Sequence, residues 1–316
     1  MRIIRNPKPL SLNYIPEKII DRESETSALL NSMEITNTFL FGPSGTGKTL
    51  ILRKAMEEFN SINKKATYID CSLYQTTNAI FQEILFSLGS IISSKSNYDL
   101  TKRLRSKISH LGIKVVACLD HFEYLKEIET LNRLLSLGIG LVIVAQTKDA
   151  LKRLDRRVRS TITNIIEVES YTDEQTFEIL LNRAQEALVE YSYSEDTIRK
   201  IAEVSKGNIS FALNLLKTLA IKAETEGKES IDDLELHIEP DCTCENLSED
   251  ERILLEILKE NKVLPAGKLF ELYLHKASFP KSERSFRNYM RRLCIKGYVK
   301  SVGKKRGRFY ELIKKE

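Results

Sequence analysis

The segment Gly42-Pro43-Ser44-Gly45-Thr46-Gly47-Lys48-Thr49 follows directly on the apolar run Thr38-Phe39-Leu40-Phe41. The spacing G-x-x-x-x-G-K-[ST] behind a buried strand leaves few folds open to a chain. Its glycines let the backbone turn N–H groups inward around an anion, because no Cβ blocks the approach. A helical pattern then begins, and its positive dipole end faces the same point. In this arrangement Lys48 reaches the outer phosphates of a nucleotide and the Thr49 hydroxyl ligates Mg²⁺. The loop is therefore expected to hold ATP or ADP with Mg²⁺.

What surrounds the loop is consistent with that use. Short apolar, β-rich runs occur at residues 37–42, 66–70, 114–120, 140–146 and 164–168, with helical patterns between them at 22–33, 47–60, 78–91, 99–111 and 127–137. Apolar strands separated by helices argue for an α/β fold, a five-stranded parallel sheet covered on both faces. The loop then lies at the C-terminal end of the first strand, where such sheets bind ligands. A nucleotide site of this kind needs an acidic residue at the end of a second buried strand to hold the metal. Lys114-Val115-Val116-Ala117-Cys118-Leu119-Asp120 supplies it, so Thr49 and Asp120 are the expected metal ligands.

From residue 171 the strands stop. Thr172-Asp173-Glu174-Gln175 reads as a capping box opening a helix, and further helical patterns follow at 194–204 and 209–226 around a turn at Gly207. Residues 239–245 have no helical period and read as a linker. The last stretch has helical patterns at 248–260, 266–276 and 282–296. Two β-runs follow, 298–302 and 308–313, joined by the basic turn Gly303-Lys304-Lys305-Arg306-Gly307. Three helices and a β-hairpin describe a winged helix-turn-helix. The expected domains are residues 1–170, nucleotide-binding; 171–245, a helical lid with linker; and 246–316, the winged helix.

Charge is unevenly spread over these parts. The net charge is +5, yet residues 247–316 hold 18 Lys and Arg against 9 Asp and Glu, a local +9 that leaves the other 246 residues at −4. A polyanion is the natural partner for such a C-terminal unit, which speaks against a purely protein-binding role. The partner expected is double-stranded DNA. Ser282, Arg284, Arg287 and Asn288 lie toward the start of the recognition helix, where Arg and Asn read base edges. Arg291 and Arg292 are expected to meet phosphate or water. Lys304, Lys305, Arg306 and Arg308 form the wing tip.

The apolar content of 42% and charged content of 29% describe a folded chain. Its longest apolar stretch, 134–145, is too short to span a bilayer, and MRIIRNPKPL lacks the apolar centre of a signal peptide. The expectation is a cytoplasmic, nucleoid-associated protein with no membrane partner. Five dispersed cysteines (71, 118, 242, 244 and 294) suggest neither a disulfide framework nor a zinc site.

Loop, strand-end Asp120, helical region and winged helix occur in an order that resembles the archaeal origin-recognition initiators, AAA+ relatives of the eukaryotic origin recognition complex. The resemblance covers nearly the whole chain. Tyr14-Ile15-Pro16-Glu17 with Arg22-Glu23 is similar to the family's Y-V-P-E…R-E element, which packs over the adenine. Residues 151–160, LKRLDRRVRS, are similar to its R-L-D-x-R-V-x-S stretch. The resemblance implies that Arg157 is an arginine finger offered to a neighbouring subunit and that Gln146 stands at the polar sensor position. It also implies a DNA contact from the region of residues 78–91, although that stretch carries almost no positive charge here. A paralogous initiator subunit or a replicative helicase are the further partners it suggests.

Three departures from the family stand out, the mildest being Gln146 where the family usually has asparagine. The family places a glutamate after the strand-end aspartate, as general base; here the residue is His121. Strand alternation puts the nearby Glu123 in a different place. The family's G-D-x-R supplies an arginine to the γ-phosphate; here Gly207-Asn208-Ile209-Ser210 puts Ser210 at that position. A hydroxyl cannot supply the lost charge. The expectation is a protein that binds nucleotide and hydrolyses it slowly or not at all, which leaves open whether it works as an enzyme. Two roles also stay open: a replication-origin recognition protein, or a transcriptional regulator using the same winged helix.

Overall fold

The computed structural model describes residues 2–16, 19–61, 64–90, 96–234, 247, 249–277, 281–295, 298–303 and 308–313. The chain forms two compact units, Met1–Leu236 and His237–Glu316.

The first unit is built on five parallel strands: β1 (Asn37–Phe41), β2 (Lys65–Asp70), β3 (Val115–Asp120), β4 (Gly140–Ala145) and β5 (Ile162–Glu167). Their order is β2-β3-β4-β1-β5. The central strands are apolar on both sides, and all six residues of β3 are buried. Phe39, Phe41, Leu119 and Ile143 point into a cluster with α3 (Thr77–Ser87), α4 (Asn97–Leu111) and α5 (Glu129–Ser136). Leu40, Cys118, Val142 and Val144 point to the other face, against α1 (Glu23–Ile35) and α2 (Lys48–Ser61). Period-two alternation thus distributes one apolar run over two cores. The helix expected over residues 78–91 stops at Ser87, where Leu88 leaves the helix and Gly89 turns with φ 73°. A short helix, α6 (Arg156–Thr161), precedes β5; Asp155 caps it by accepting from Val158 N.

Among the described residues three more helices belong to this unit: α7 (Asp173–Ala187), α8 (Glu195–Ser205) and α9 (Ile209–Thr225). The capping box at Thr172 is present in both directions, Thr172 accepting from Gln175 N and the Gln175 side chain accepting from Thr172 N. The helices share a core in which two residues come from the other end of the sequence, Ile3 and Leu10, each 1% exposed. Ile4 bridges to Leu188 in antiparallel fashion, and Arg5 N and Asn6 N both donate to Ala187 O. Glu224 Oε1 accepts from Ile3 N and Ile4 N, each at 2.8 Å. The N-terminal segment is therefore a strap across the helical part, which the sequence pattern did not reveal.

In the second unit, α10 (Glu249–Asn261), α11 (Ala266–Lys276) and α12 (Glu283–Ile295) pack on a sheet of β6 (Val263–Pro265), β7 (Val299–Val302) and β8 (Phe309–Leu312). The order is β6-β8-β7, antiparallel throughout. This is the arrangement of a winged helix-turn-helix. The expected hairpin gains a third strand, because Val263-Leu264-Pro265 is too short to show a strand period yet places Leu264 opposite Tyr310 in the core. Among the described residues no helix is long and apolar enough to cross a membrane. Cys71 and Cys118 are free and buried, and Cys294 is free; Cys242 and Cys244 lie outside the described residues.

The strap gives a direct test. Glu224→Ala leaves two backbone N–H groups without their acceptor and should lower the unfolding free energy of this unit by about 1–3 kcal/mol. Urea titration followed by circular dichroism measures it. A midpoint equal to wild type would show that the strap carries no stability.

Candidate nucleotide-binding site

The glycine-rich loop closes the C-terminal end of β1, and α2 starts at Lys48 behind it. The Lys48 ammonium, 9% exposed, donates to Pro43 O at 2.5 Å, and Thr46 Oγ1 donates to the same carbonyl at 3.0 Å. Burial pulls Lys48 down to a pKa of about 8, with Asp120 and then Glu123 opposing the shift. Gly45 has φ 79°, and a Cβ there would lie 1.8 Å from Asn208 Oδ1. That close approach lets the helical part touch the loop directly: Ile209 N donates to Gly45 O at 3.0 Å. Asn208 caps α9 by accepting from Phe211 N. Ser210, half-buried, is the second residue of that helix.

Arg22 brackets the loop from its other side. It is buried; its Nε donates to Thr46 O at 3.3 Å, and one terminal nitrogen donates to Glu169 O at 2.5 Å. The other terminal nitrogen pairs with Glu25 at 3.2 Å. The guanidinium lies 3.9 Å from the centre of the Tyr171 ring, a favourable cation–π distance. Tyr14 is held by the lid instead. Its hydroxyl donates to Glu186 Oε2 at 2.7 Å, and Arg183 of α7 stacks over its ring at 4.6 Å. Ile15 and Pro16 continue this segment, half-buried; Glu17 lies outside the described residues.

The ends of β2, β3 and β4 supply the acidic side. Asp120 is 2% exposed. Its Oδ2 accepts from the Thr49 hydroxyl at 2.7 Å and the Tyr68 hydroxyl at 3.1 Å, while Oδ1 accepts from His121 N at 2.8 Å. Asp70 pairs in register with Asp120, and its Oδ1 lies 3.2 Å from His121 Nδ1. Burial, and next the Asp120 charge, raise the Tyr68 hydroxyl well above its ordinary range, so it is a neutral donor. Thr49 and Asp120 bring hard oxygen donors to one point beside the loop, a donor set suited to Mg²⁺.

At Glu123 the alternation argument does not hold. His121 takes the left-handed conformation, φ 52°, and residues Phe122–Tyr124 form a tight 3₁₀ turn. The chain therefore folds back instead of continuing the strand, and alternation no longer applies. Glu123 Oε1 accepts from Gln146 N, at the exit of β4. Glu123 Oε2 is buried with no hydrogen-bond partner among the described residues. Arg153 secures the turn by donating to the carbonyl oxygens of Phe122, Glu123 and Leu125. Gln146, half-buried, thus meets this acid through its backbone.

Of the remaining candidates, Arg157 is exposed on α6, 3.4 Å from Ser136 Oγ, and is not part of this cluster. In the second unit Ser282, Arg287, Asn288 and Arg308 are exposed. Arg287 pairs with Glu283 one helical turn earlier, at 2.6 Å, and Ser282 Oγ accepts from Ser285 N. The Arg284 side chain and Lys304, Lys305 and Arg306 lie outside the described residues. Arg292, expected at phosphate or in water, is held instead at 2.6 Å from Glu251, whose side chain is 2% exposed. It balances a buried charge. Sequence reasoning missed Tyr68, Asp70 and Arg153. Asp70 had a visible signal, since it closes an apolar strand just as Asp120 does.

Known proteins resemble this chain over most of its length. Residues 34–154 match the family model of an AAA domain, and residues 177–238 match that of the Cdc6 AAA+ ATPase-type lid domain. The ORC1-type DNA replication protein 9 of Halobacterium salinarum is 27% identical over 98% of this chain and 94% of its own length. Among solved structures, the Aeropyrum pernix ORC1 protein in complex with DNA has a TM-score of 0.75 at 21% identity. It covers 99% of this chain and 94% of that one. The Aeropyrum pernix ORC2 protein, solved as ADPNP and ADP complexes, has a TM-score of 0.63 at 20% identity, covering 98% and 94%.

The lowered Lys48 value fixes a pH dependence. A polyphosphate seated on the loop favours the charged amine and raises its pKa, so binding takes up a proton once the free protein has lost one. Tripolyphosphate affinity should be flat below about pH 7 and fall by up to about tenfold per unit above pH 8. Calorimetry in buffers of different ionisation enthalpy should show proton uptake at pH 8.5 and little at pH 6.5. Equal uptake at both values would contradict it.

Proposed function

Because this chain belongs to the archaeal ORC1/Cdc6-type family of AAA+ replication initiators, we propose that it recognises replication origins, binding ATP or ADP at the loop and duplex DNA through its winged helix. The observation that carries the nucleotide half is the convergence at the loop. Lys48, Thr49 and Asp120 stand at one end of the sheet, and the lid's Ile209 is bonded to the loop itself. In this reading Gly42 to Thr49 cradle the phosphates. Thr49 and Asp120 hold Mg²⁺, which neutralises phosphate charge when bound. Tyr14, Ile15 and Pro16 cover the base, and Arg22 fixes the loop carbonyl. Gln146 faces the terminal phosphate. Turnover is slow, because Ser210 stands where the family has an arginine, and a hydroxyl supplies no positive charge to the terminal phosphate. Arg157, exposed on α6, is offered to a second subunit.

The +9 charge of residues 247–316 supports the DNA half. Ser282, Arg284, Arg287 and Asn288 lie toward the start of α12 and would enter the major groove, with Lys304, Lys305, Arg306 and Arg308 at the flanking backbone. A further contact from the first unit falls to α4 rather than α3. The latter has no Lys or Arg, whereas Lys102, Arg103 and Arg105 of α4 are exposed. The expected limits at residues 170 and 245 divide these roles, whereas compact packing divides the chain once, between Leu236 and His237.

Lys48→Ala should abolish nucleotide binding while leaving the far-ultraviolet spectrum unchanged. Neutralising Lys304, Lys305 and Arg306 together should weaken duplex binding and reduce the slope of log affinity against log salt by about 2–3. Nucleotide affinity untouched by the first change, or a salt slope untouched by the second, would reject the corresponding half.

A further inference from the structure

Glu123 has a chemistry that the family pattern does not assign. Its carboxylate is anchored at one oxygen by Gln146 N and buried at the other without a partner. A buried carboxylate oxygen lacking a hydrogen bond is costly, and the cost is relieved when a donor arrives. Its surroundings say which side it faces. Gln146 leaves the end of β4, Lys48 feels the Glu123 charge, and Arg153 pins the turn through three carbonyls. His121, by contrast, has its Nδ1 between two carboxylates, 3.2 Å from Asp70 Oδ1 and 4.0 Å from Asp120 Oδ2. Its backbone is in the left-handed region.

Resting on the nucleotide-binding reading above, we propose that Glu123 is the general base for hydrolysis at this site, taking over from position 121 by way of the tight turn. Water bonds to the γ-phosphorus and gives a proton to Glu123 Oε2. The bond from that phosphorus to the bridging oxygen breaks, its electron pair leaves with ADP, and inorganic phosphate is released. The proton then passes from Glu123 to solvent. Gln146 N holds one oxygen of the carboxylate, which leaves Oε2 without a donor of its own.

The test is Glu123→Gln, which keeps an acceptor for Gln146 N and removes only the basicity. Affinities for ADP and for a non-hydrolysable ATP analogue, measured by calorimetry, should stay within about twofold of wild type. The kcat of ATP hydrolysis should fall about 100-fold or more with KM little changed. Protein incubated with ATP, desalted and acid-extracted should yield ADP from wild type and ATP from the variant. Glu123→Asp, which keeps the charge but withdraws it by one methylene, should retain binding and lose about tenfold or more in kcat. Wild-type turnover in either variant would overturn the proposal, as would wild-type protein that binds ATP and never hydrolyses it. Wild-type protein that binds no nucleotide would reject the underlying reading as well, and the calorimetry separates that result from the others.

Discussion

The contact on which the first unit depends joins two distant parts of the chain backbone to backbone. Ile209 N–H donates to Gly45 O, in the middle of the glycine-rich loop. The approach is possible because position 45 has no Cβ; Asn208 Oδ1 stands where one would be. The same device works one step away, since a Cβ on Gly207 would lie 2.2 Å from Tyr171 O. The sheet and the lid therefore meet through main chain at glycines, and Arg22 ties a third element, the start of α1, into the junction. Side chains from Ile3 to Ala223 form the lid's core, which includes the apolar face of α9.

Parallel strands end on the same edge, and that geometry concentrates negative charge. Asp70, Asp120 and Glu123 all gather at the C-terminal ends of β2, β3 and β4. Three carboxylates at one edge would repel one another without compensation. The protein opposes them with Lys48, with the donors of Thr49, Tyr68 and the His121 backbone, and with the nearby Arg153. The cost falls partly on Lys48, whose burial lowers its pKa even with two acids close by. An anion arriving at the loop would share that amine with the acids, so phosphate binding and the arrangement of the acidic edge are coupled.

The loop, Asp120 and the alternation of strands and helices were legible because each has a local signature. Glycine spacing, an acid closing an apolar run, and the shift from period two to period 3.6 are properties of short windows. The elements that were not legible depend on partners far along the chain. The strap at Ile3 and Ile4 looks like an exposed tail until Glu224 and Ala187 are brought beside it. The strand Val263–Pro265 has three residues and exists only because β8 pairs with it. Alternation fails at Glu123 for a conformational reason: His121 adopts positive φ without being glycine, asparagine or aspartate. A single left-handed residue is enough to invert which side chains face a site.

Ser210 changes what the lid can respond to. An arginine reaching from the lid to a terminal phosphate would make lid position depend on whether that phosphate is there. In this chain the lid is joined to the loop by a backbone hydrogen bond and by packing around Tyr171, neither of which includes a phosphate group. A lid held in that way has little differential interaction with ATP and ADP, and a ligand can shift an equilibrium only by its differential affinity for the two states. In the reading proposed here, nucleotide then fixes the junction between sheet and lid in much the same form before and after hydrolysis. In the same reading, the group whose surroundings would change with the terminal phosphate is the acidic edge, where Glu123 and Gln146 meet.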